Sequence, residues 1–256
     1  MSDRCLSSTI GCERVETVPE RALGERLLKK VNKAAHEYDL IGDGDRIVVA
    51  VSGGGDGLSL LQLLQKRQRS VPEKVDLVAV HVYDDAGPDE RFHKDLETWF
   101  QASGVEYAFE PLEVPADEPR PLSCFRCAWH RRKALFLTAD RLNCNKVAFG
   151  HHADDVAETA LLNLFYSGRL ESMEPRVEFF GGKITVIRPL VYVPKEELTR
   201  FAQASGFPSP PPRCPNSLTS RRARMQAILQ ELERDHPGAR SNLLRALRRA
   251  KKMEPG

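Results

Sequence analysis

The residues best suited to chemistry begin with Ser52-Gly53-Gly54-Gly55-Asp56-Gly57, which follows the apolar run 46–51, RIVVAV. Consecutive glycines let a backbone take positive φ and come close to an anion. Their N–H groups, with the N-terminus of a following helix, form an anion site. Ser52 adds a hydroxyl, and Asp56 is suited to hold a Mg2+ that in turn holds phosphate. The loop has neither the Gly-Lys-Ser/Thr of a Walker motif nor the G-x-G-x-x-G spacing. A plain tight turn between strand and helix is the other reading.

Thiols form the second group. Cys124-Phe125-Arg126-Cys127 precedes a helical pattern, and Cys214 stands in a Pro-rich segment that could fold back over the same edge. A helix N-terminus with Arg126, His130, Arg131 and Arg132 nearby would favour thiolates. Three thiolates could hold three irons of a 4Fe-4S cluster and leave one iron open. Zinc with a fourth ligand such as His130 is an alternative, as is a redox pair. Cys5, Cys12 and Cys144 read as bystanders.

These groups need a scaffold, and the pattern supplies one. Short apolar runs at 46–51, 75–83, 105–112 and 146–149 alternate with helical patterns at 58–68, 89–103, 128–142 and 154–166. Alternation of this kind predicts an α/β fold, a parallel sheet with helices on both faces. Right-handed crossovers then bring the tips 52–57, 81–88, 113–127 and 150–155 to one sheet edge, where such folds bind ligands. Residues 177–180 and 183–187 flank Gly181-Gly182 as a hairpin, an edge addition to the sheet. The expected organisation is an N-terminal helical arm (1–45), an α/β domain (46–190) and a helical, basic C-terminal arm (191–256) that carries Cys214.

Hydrophobic residues make up 41% of the 256-residue chain, enough for a full core, which excludes intrinsic disorder. No apolar run approaches the roughly 18 residues of a membrane helix, and residues 1–16 have no apolar signal region, so a cytoplasmic protein is expected. A net charge of +2 conceals an asymmetry. Residues 84–119 are strongly acidic, whereas 213–252 carry eleven Lys or Arg against Glu231, Glu233 and Asp235. That basic run suits a polyanionic partner; a solvated helix face is the plain alternative.

Ser52-Gly53-Gly54-Gly55-Asp56 resembles the S-G-G-x-D-S loop of the PP-loop, or N-type, ATP pyrophosphatases, with their Rossmann-like adenine-nucleotide alpha-hydrolase fold. Further matches are Gly150-His151-His152-Ala153-Asp154-Asp155 running on to Glu158-Thr159, LNLFYSGRLESM at 162–173, Ile187-Arg188-Pro189-Leu190, Phe201-Ala202 and Gly206-Phe207-Pro208. With the C-x-x-C and the later cysteine, they resemble the tRNA 2-thiocytidine synthetase group over most of 46–237. The resemblance implies ATP with Mg2+, adenylation of cytidine C2 at tRNA position 32, and replacement of oxygen by sulfur. It also implies a cysteine desulfurase or other sulfur donor, and often a homodimer. It would make Cys124, Cys127 and Cys214 cluster ligands and Ser52 to Asp56 the pyrophosphate cradle. Gly150 and Asp155 would line the ATP site, with Asp155 assisting metal or base activation and Arg131 neutralising charge on phosphate. His81 closes the second strand where the family's adenine pocket is expected, and packing is its other reading. His151 and His152 read as strand-end residues, and Asp154 as a helix N-cap.

The loop departs from the family at two positions. Gly57 stands where the family has Ser, and Gly55 where close relatives usually carry Lys. Both changes remove groups that could touch phosphate, so restoring Gly57→Ser is expected to raise turnover. Two other readings therefore stand beside the tRNA thiolase. One is a PP-loop enzyme that thiolates a different substrate. The other is a degenerate protein that binds nucleotide or metal without turnover.

Overall fold

The computed structural model describes residues 18–83, 89–208 and 221–253. Cys214, Cys5 and Cys12 lie outside the described residues, as do residues 84–88 of the second loop tip. The strands are β1 (Arg46–Ala50), β2 (Asp76–Tyr83), β3 (Glu106–Pro111), β4 (Lys146–Ala148), β5 (Arg176–Phe179) and β6 (Ile184–Ile187). They form one sheet in the order β3-β2-β1-β4-β6-β5. All neighbours are parallel except the β5–β6 pair, with β5 on the edge. The chain turns between β5 and β6 through Phe180, Gly181 and Gly182, all at positive φ, so two glycines relieve most of the strain of that turn.

Alternation along β1 divides the interior. Ile47 and Val49 face a core shared with α1 (Val18–Glu37), α2 (Gly55–Ser70), α3 (Glu90–Ser103) and α6 (Lys195–Ser205). Val48 faces the other way, with Val78, Val80 and Val147, onto Leu135, Phe136 and Ala139 of α4 (Cys124–Arg141). Strands covered on both sides are apolar on both sides, which is why they read as continuous hydrophobic runs. Leu27, Leu58, Leu61 and Phe201 are fully buried in the first core; truncating one such side chain to Ala typically costs about 2–5 kcal/mol. A third, smaller cluster joins α5 (Ala153–Ser167) to α7 (Arg221–Asp235) and α8 (Ala239–Met253). Ala157 and Leu161 meet Met225 and Leu229 there, with Leu243 and Leu244 against them. Among the described residues no helix is long and apolar enough to cross a membrane.

Two helices start earlier than their propensities indicate, and both bear on the site. α2 begins at Gly55, so Gly55-Asp56-Gly57 is its first turn. Glycine's poor helix propensity hides that start, and close packing overrides it. α4 begins at Cys124 because Ser123 caps it: the Arg126 N–H donates to Ser123 Oγ at 3.3 Å. Both thiols therefore sit in the first turn of a helix.

Candidate active site

The strand order reverses between β1 and β4, and in open α/β sheets the ligand crevice lies outside the carboxyl ends of the strands at such a reversal. From β1 the chain passes through Ser52, which is exposed, and Gly53 at φ 89°. It enters α2 at Gly54, an N-cap with no side-chain hydrogen bond. The first N–H groups of α2 thus have no capping side chain, the condition for anion binding at a helix start. From β4 the chain reaches Gly150. A Cβ there would stand 3.1 Å from Asp56 C and Gly57 N, so the two loops meet backbone to backbone.

Both departures from the family loop stand where a side chain would collide. A Cβ at Gly57 would lie 2.8 Å from Ala50 O and 3.1 Å from Val51 Cα, both rigid backbone. A Cβ at Gly55 would lie 2.9 Å from the Ala202 Cβ of α6. Larger side chains at either position require movement of β1 or α6, so Gly57→Ser meets a packing cost that the sequence conceals.

Asp56 projects from this first turn. Lys195, the first residue of α6, places Nζ 2.7 Å from both of its carboxylate oxygens. His152 Nε2 lies 3.8 Å from Asp56 and 3.4 Å from Asp155. His152, rather than Asp154, caps α5: its Nδ1 accepts from the Asp155 N–H at 3.4 Å, while Asp155 Oδ2 accepts from the His152 N–H at 2.8 Å. Nδ1 thus acts as acceptor, and Nε2 faces the two carboxylates. The other Asp155 oxygen binds Arg222 of α7 at 2.5 Å, and the same guanidinium reaches Glu158 at 2.8 Å. Asp154 turns away from the crevice, holding the Lys195 N–H and Arg240, each at 2.7 Å.

His81 is buried at the far end of β2, and its Nδ1 lies 2.8 Å from Val51 O, pinning the start of the glycine-rich loop to the neighbouring strand. Phe92 and Phe109 stand edge-on to its ring. Arg131 donates to Val82 O at 2.7 Å, which fixes α4 against the same carboxyl edge. Cys124 is an exposed free thiol and Cys127 a half-buried one. Of the cations near them, Arg126 is committed to Glu118, and His130 Nε2 lies 2.9 Å from that carboxylate. The Arg126 bond, with His130 assisting, holds the Glu118 carboxyl down to about 2 against the opposing effect of burial. Cys144 is buried away from this edge, and burial raises its thiol pKa.

Two soft thiol donors at a capped helix start suit iron or zinc. Among the described residues no group of three His, Cys, Asp or Glu stands ready to hold a metal.

A PP-loop domain model matches residues 23–208. The chain belongs to the PP-loop family. The family read from residues 52–56 and 150–173 is thereby borne out. A relative from Anaeromyxobacter sp. (strain Fw109-5), named tRNA-cytidine(32) 2-sulfurtransferase, is 39% identical over 92% of this chain and 80% of its own length. One of the same name from Geobacter sulfurreducens is 40% identical over 87% of this chain and 89% of its own. The PP-loop protein described here falls in the same group as these relatives. Its fold also matches the U34-tRNA thiolase NcsA of Methanococcus maripaludis, solved with its 4Fe-4S cluster. That match has a TM-score of 0.74 and 22% identity and covers 93% of this chain and 81% of the other.

Sequence reasoning missed Lys195, Arg222 and the capping role of His152. Lys195 left a signal: a cation at the start of a helix opposes the helix dipole and calls for a partner. Arg222 left none, as one arginine among many in a basic run.

Proposed function

We propose that this chain is an ATP-dependent tRNA sulfurtransferase that converts cytidine 32 to 2-thiocytidine. The observation that carries the reading is the shared sheet edge. There an uncapped glycine-rich helix start and a pair of thiols, exposed Cys124 and half-buried Cys127, begin the helices that follow β1 and β3. Phosphate chemistry and sulfur chemistry need to meet at one base, and these are the two kinds of group they require. The 39–40% identity to tRNA-cytidine(32) 2-sulfurtransferases supports the same substrate.

In this mechanism the N–H groups of Gly53, Gly54 and Gly55, with Ser52, hold the pyrophosphate part of ATP, and Asp56 holds its Mg2+. Gly150 lets ATP and the loop approach closely. His81 positions the loop beside the adenine. The C2 oxygen of the base attacks the α-phosphorus and pyrophosphate leaves, turning a poor leaving group into AMP. Asp155 assists activation of the base or metal, and Arg131 balances charge at the phosphate. Cys124, Cys127 and Cys214 would hold a 4Fe-4S cluster, which when bound supplies sulfide as a soft nucleophile at neutral pH. Sulfur enters at C2 as AMP departs with the oxygen. A cysteine desulfurase or another donor replenishes the sulfur, a persulfide donor requiring two electrons from a cellular reductant to yield it as sulfide. The cytoplasm, where tRNA is modified, is the proposed location, and a homodimer the proposed assembly.

Anaerobic purification followed by iron and sulfide analysis tests the donor set, and a colourless zinc protein would refute the cluster. Pyrophosphate release that depends on tRNA, with 2-thiocytidine seen by nucleoside mass spectrometry, tests the activity. Cys124→Ser and Cys127→Ser should abolish thiolation and iron content while ATP binding persists. A brown protein that releases no pyrophosphate would instead favour the non-catalytic reading, which the absence of Lys at position 55 makes the relevant competitor.

A further inference from the structure

The loop from Ser52 to Gly57 contains no cationic side chain. Pyrophosphate carries several negative charges, and backbone N–H groups offer only partial positive charge against them. Besides a metal ion, any side-chain cation has to reach it from another element. α6 is seated directly on the loop, since a Cβ at Gly55 would meet Ala202 Cβ at 2.9 Å. The first residue of that helix, Lys195, extends its ammonium to 2.7 Å from both Asp56 oxygens. Its backbone is fixed as well, because the Lys195 N–H donates to Asp154 Oδ2 at 2.7 Å.

We infer that Lys195 is the phosphate-binding cation of the glycine-rich loop, supplied from α6 rather than from the loop itself. The inference rests on reading this loop as the ATP site. Helix stability does not account for a lysine here, since a positive charge at a helix start opposes the dipole. Nor does the ion pair: the Lys195 side chain is 42% exposed and that of Asp56 33%, and pairs so exposed contribute little to folding. Among the other cations, Arg131 approaches the phosphate from α4 in the mechanism above, whereas Arg240 holds Asp154, and Arg222 holds Asp155 and Glu158. Without nucleotide, Lys195 neutralises Asp56. When Asp56 turns to a divalent cation, the ammonium loses that partner and takes the phosphate oxygens beside it. The pair thus keeps the empty loop electrically balanced and releases one positive charge to the arriving phosphate.

Calorimetric titration of the full-length protein with ATP, pyrophosphate and AMP, each with Mg2+, tests this on wild type, Lys195→Ala and Lys195→Arg. Lys195→Ala should bind ATP and pyrophosphate about tenfold more weakly or worse, the loss expected for a charged hydrogen bond. AMP affinity should hold, and Lys195→Arg should keep most of the ATP affinity. Thermal unfolding verifies that each variant is folded, and Lys195→Gln replaces the alanine variant if that one is not. Unchanged ATP and pyrophosphate affinity in the neutral variant would overturn the assignment. Equal losses for ATP and AMP would also overturn it, by reducing Lys195 to a support for α6. If wild type itself binds neither ATP nor pyrophosphate, the ATP reading of the loop fails and this role falls with it, a result read from wild type alone.

Discussion

Burial keeps the His151 imidazole neutral beside the crevice. Desolvation pushes its pKa from 6.5 down to about 4, although the nearby Asp155 charge acts the other way. The ring stacks against Phe149 with centroids 5.5 Å apart, and its Nδ1 is buried without a hydrogen-bond partner. Between pH 6.5 and about 4 the unfolded chain binds more protons at this position than the folded one. Its contribution to stability is therefore complete above 6.5 and is lost as the pH falls toward 4. Thermal midpoints at pH 7.5 and pH 5 should fall further apart for wild type than for His151→Gln; equal differences would refute the assignment. Glu118 behaves similarly at lower pH. Its carboxyl titrates at about 2 instead of 4.5, so the support that its tether to Arg126 and His130 gives α4 persists above 4.5 and disappears toward 2. Glu118→Gln should remove that acid-side dependence and loosen the helix bearing Cys124 and Cys127, visible as faster amide exchange at its start.

At the scale of elements, the glycine-rich loop is constrained by what lies against it. Gly55→Ala should destabilise by about 1–3 kcal/mol, the usual cost of overpacking. The obstruction at position 55 is a single methyl, Ala202 Cβ. Gly55→Ala combined with Ala202→Gly should therefore be more stable than the sum of the two single losses, a positive coupling that a double-mutant cycle measures. At position 57 the obstruction is the β1 backbone, so no side-chain change can relieve it, and Gly57→Ser should lower the melting temperature. A melting temperature equal to wild type would show that β1 and α2 separate more easily than their packing indicates.

For the whole molecule, α7 is attached to the sheet domain by the small cluster around Leu161, by the Arg221 guanidinium over the Tyr166 ring and by Arg222. Arg222 serves the half-buried Asp155 and the buried Glu158 together. Burial raises the Glu158 pKa, and Arg222 opposes that rise. Arg222→Ala leaves the Glu158 charge buried without its partner; given the exposure of Arg222, the cost should be about 1–2 kcal/mol at neutral pH. Protonating Glu158 removes that unpaired charge, so the deficit should shrink as the pH is lowered. Urea unfolding at two pH values checks this, and a deficit that grows on acidification would contradict it. The same variant frees one Asp155 oxygen while the other keeps its capping bond to the His152 N–H.

The sequence by itself determined the sheet and the edge at which its glycine- and histidine-rich turns gather. Continuous apolar runs such as 46–51 and 75–83 mark strands buried on both faces, and glycine-rich or histidine-rich turns mark their ends, because backbone geometry and desolvation act locally. It also determined the family, through the spacing within 52–56 and 150–173. Tertiary structure alone decided which charges meet. Lys195 and Asp56 are far apart in the chain, as are Arg222 and Asp155, and no local pattern encodes pairs formed when α6 and α7 dock. It likewise decided that α2 starts at Gly55. Packing against Ala202 selects glycine at 55, as packing against the end of β1 does at 57, and propensity, a local property, points the other way.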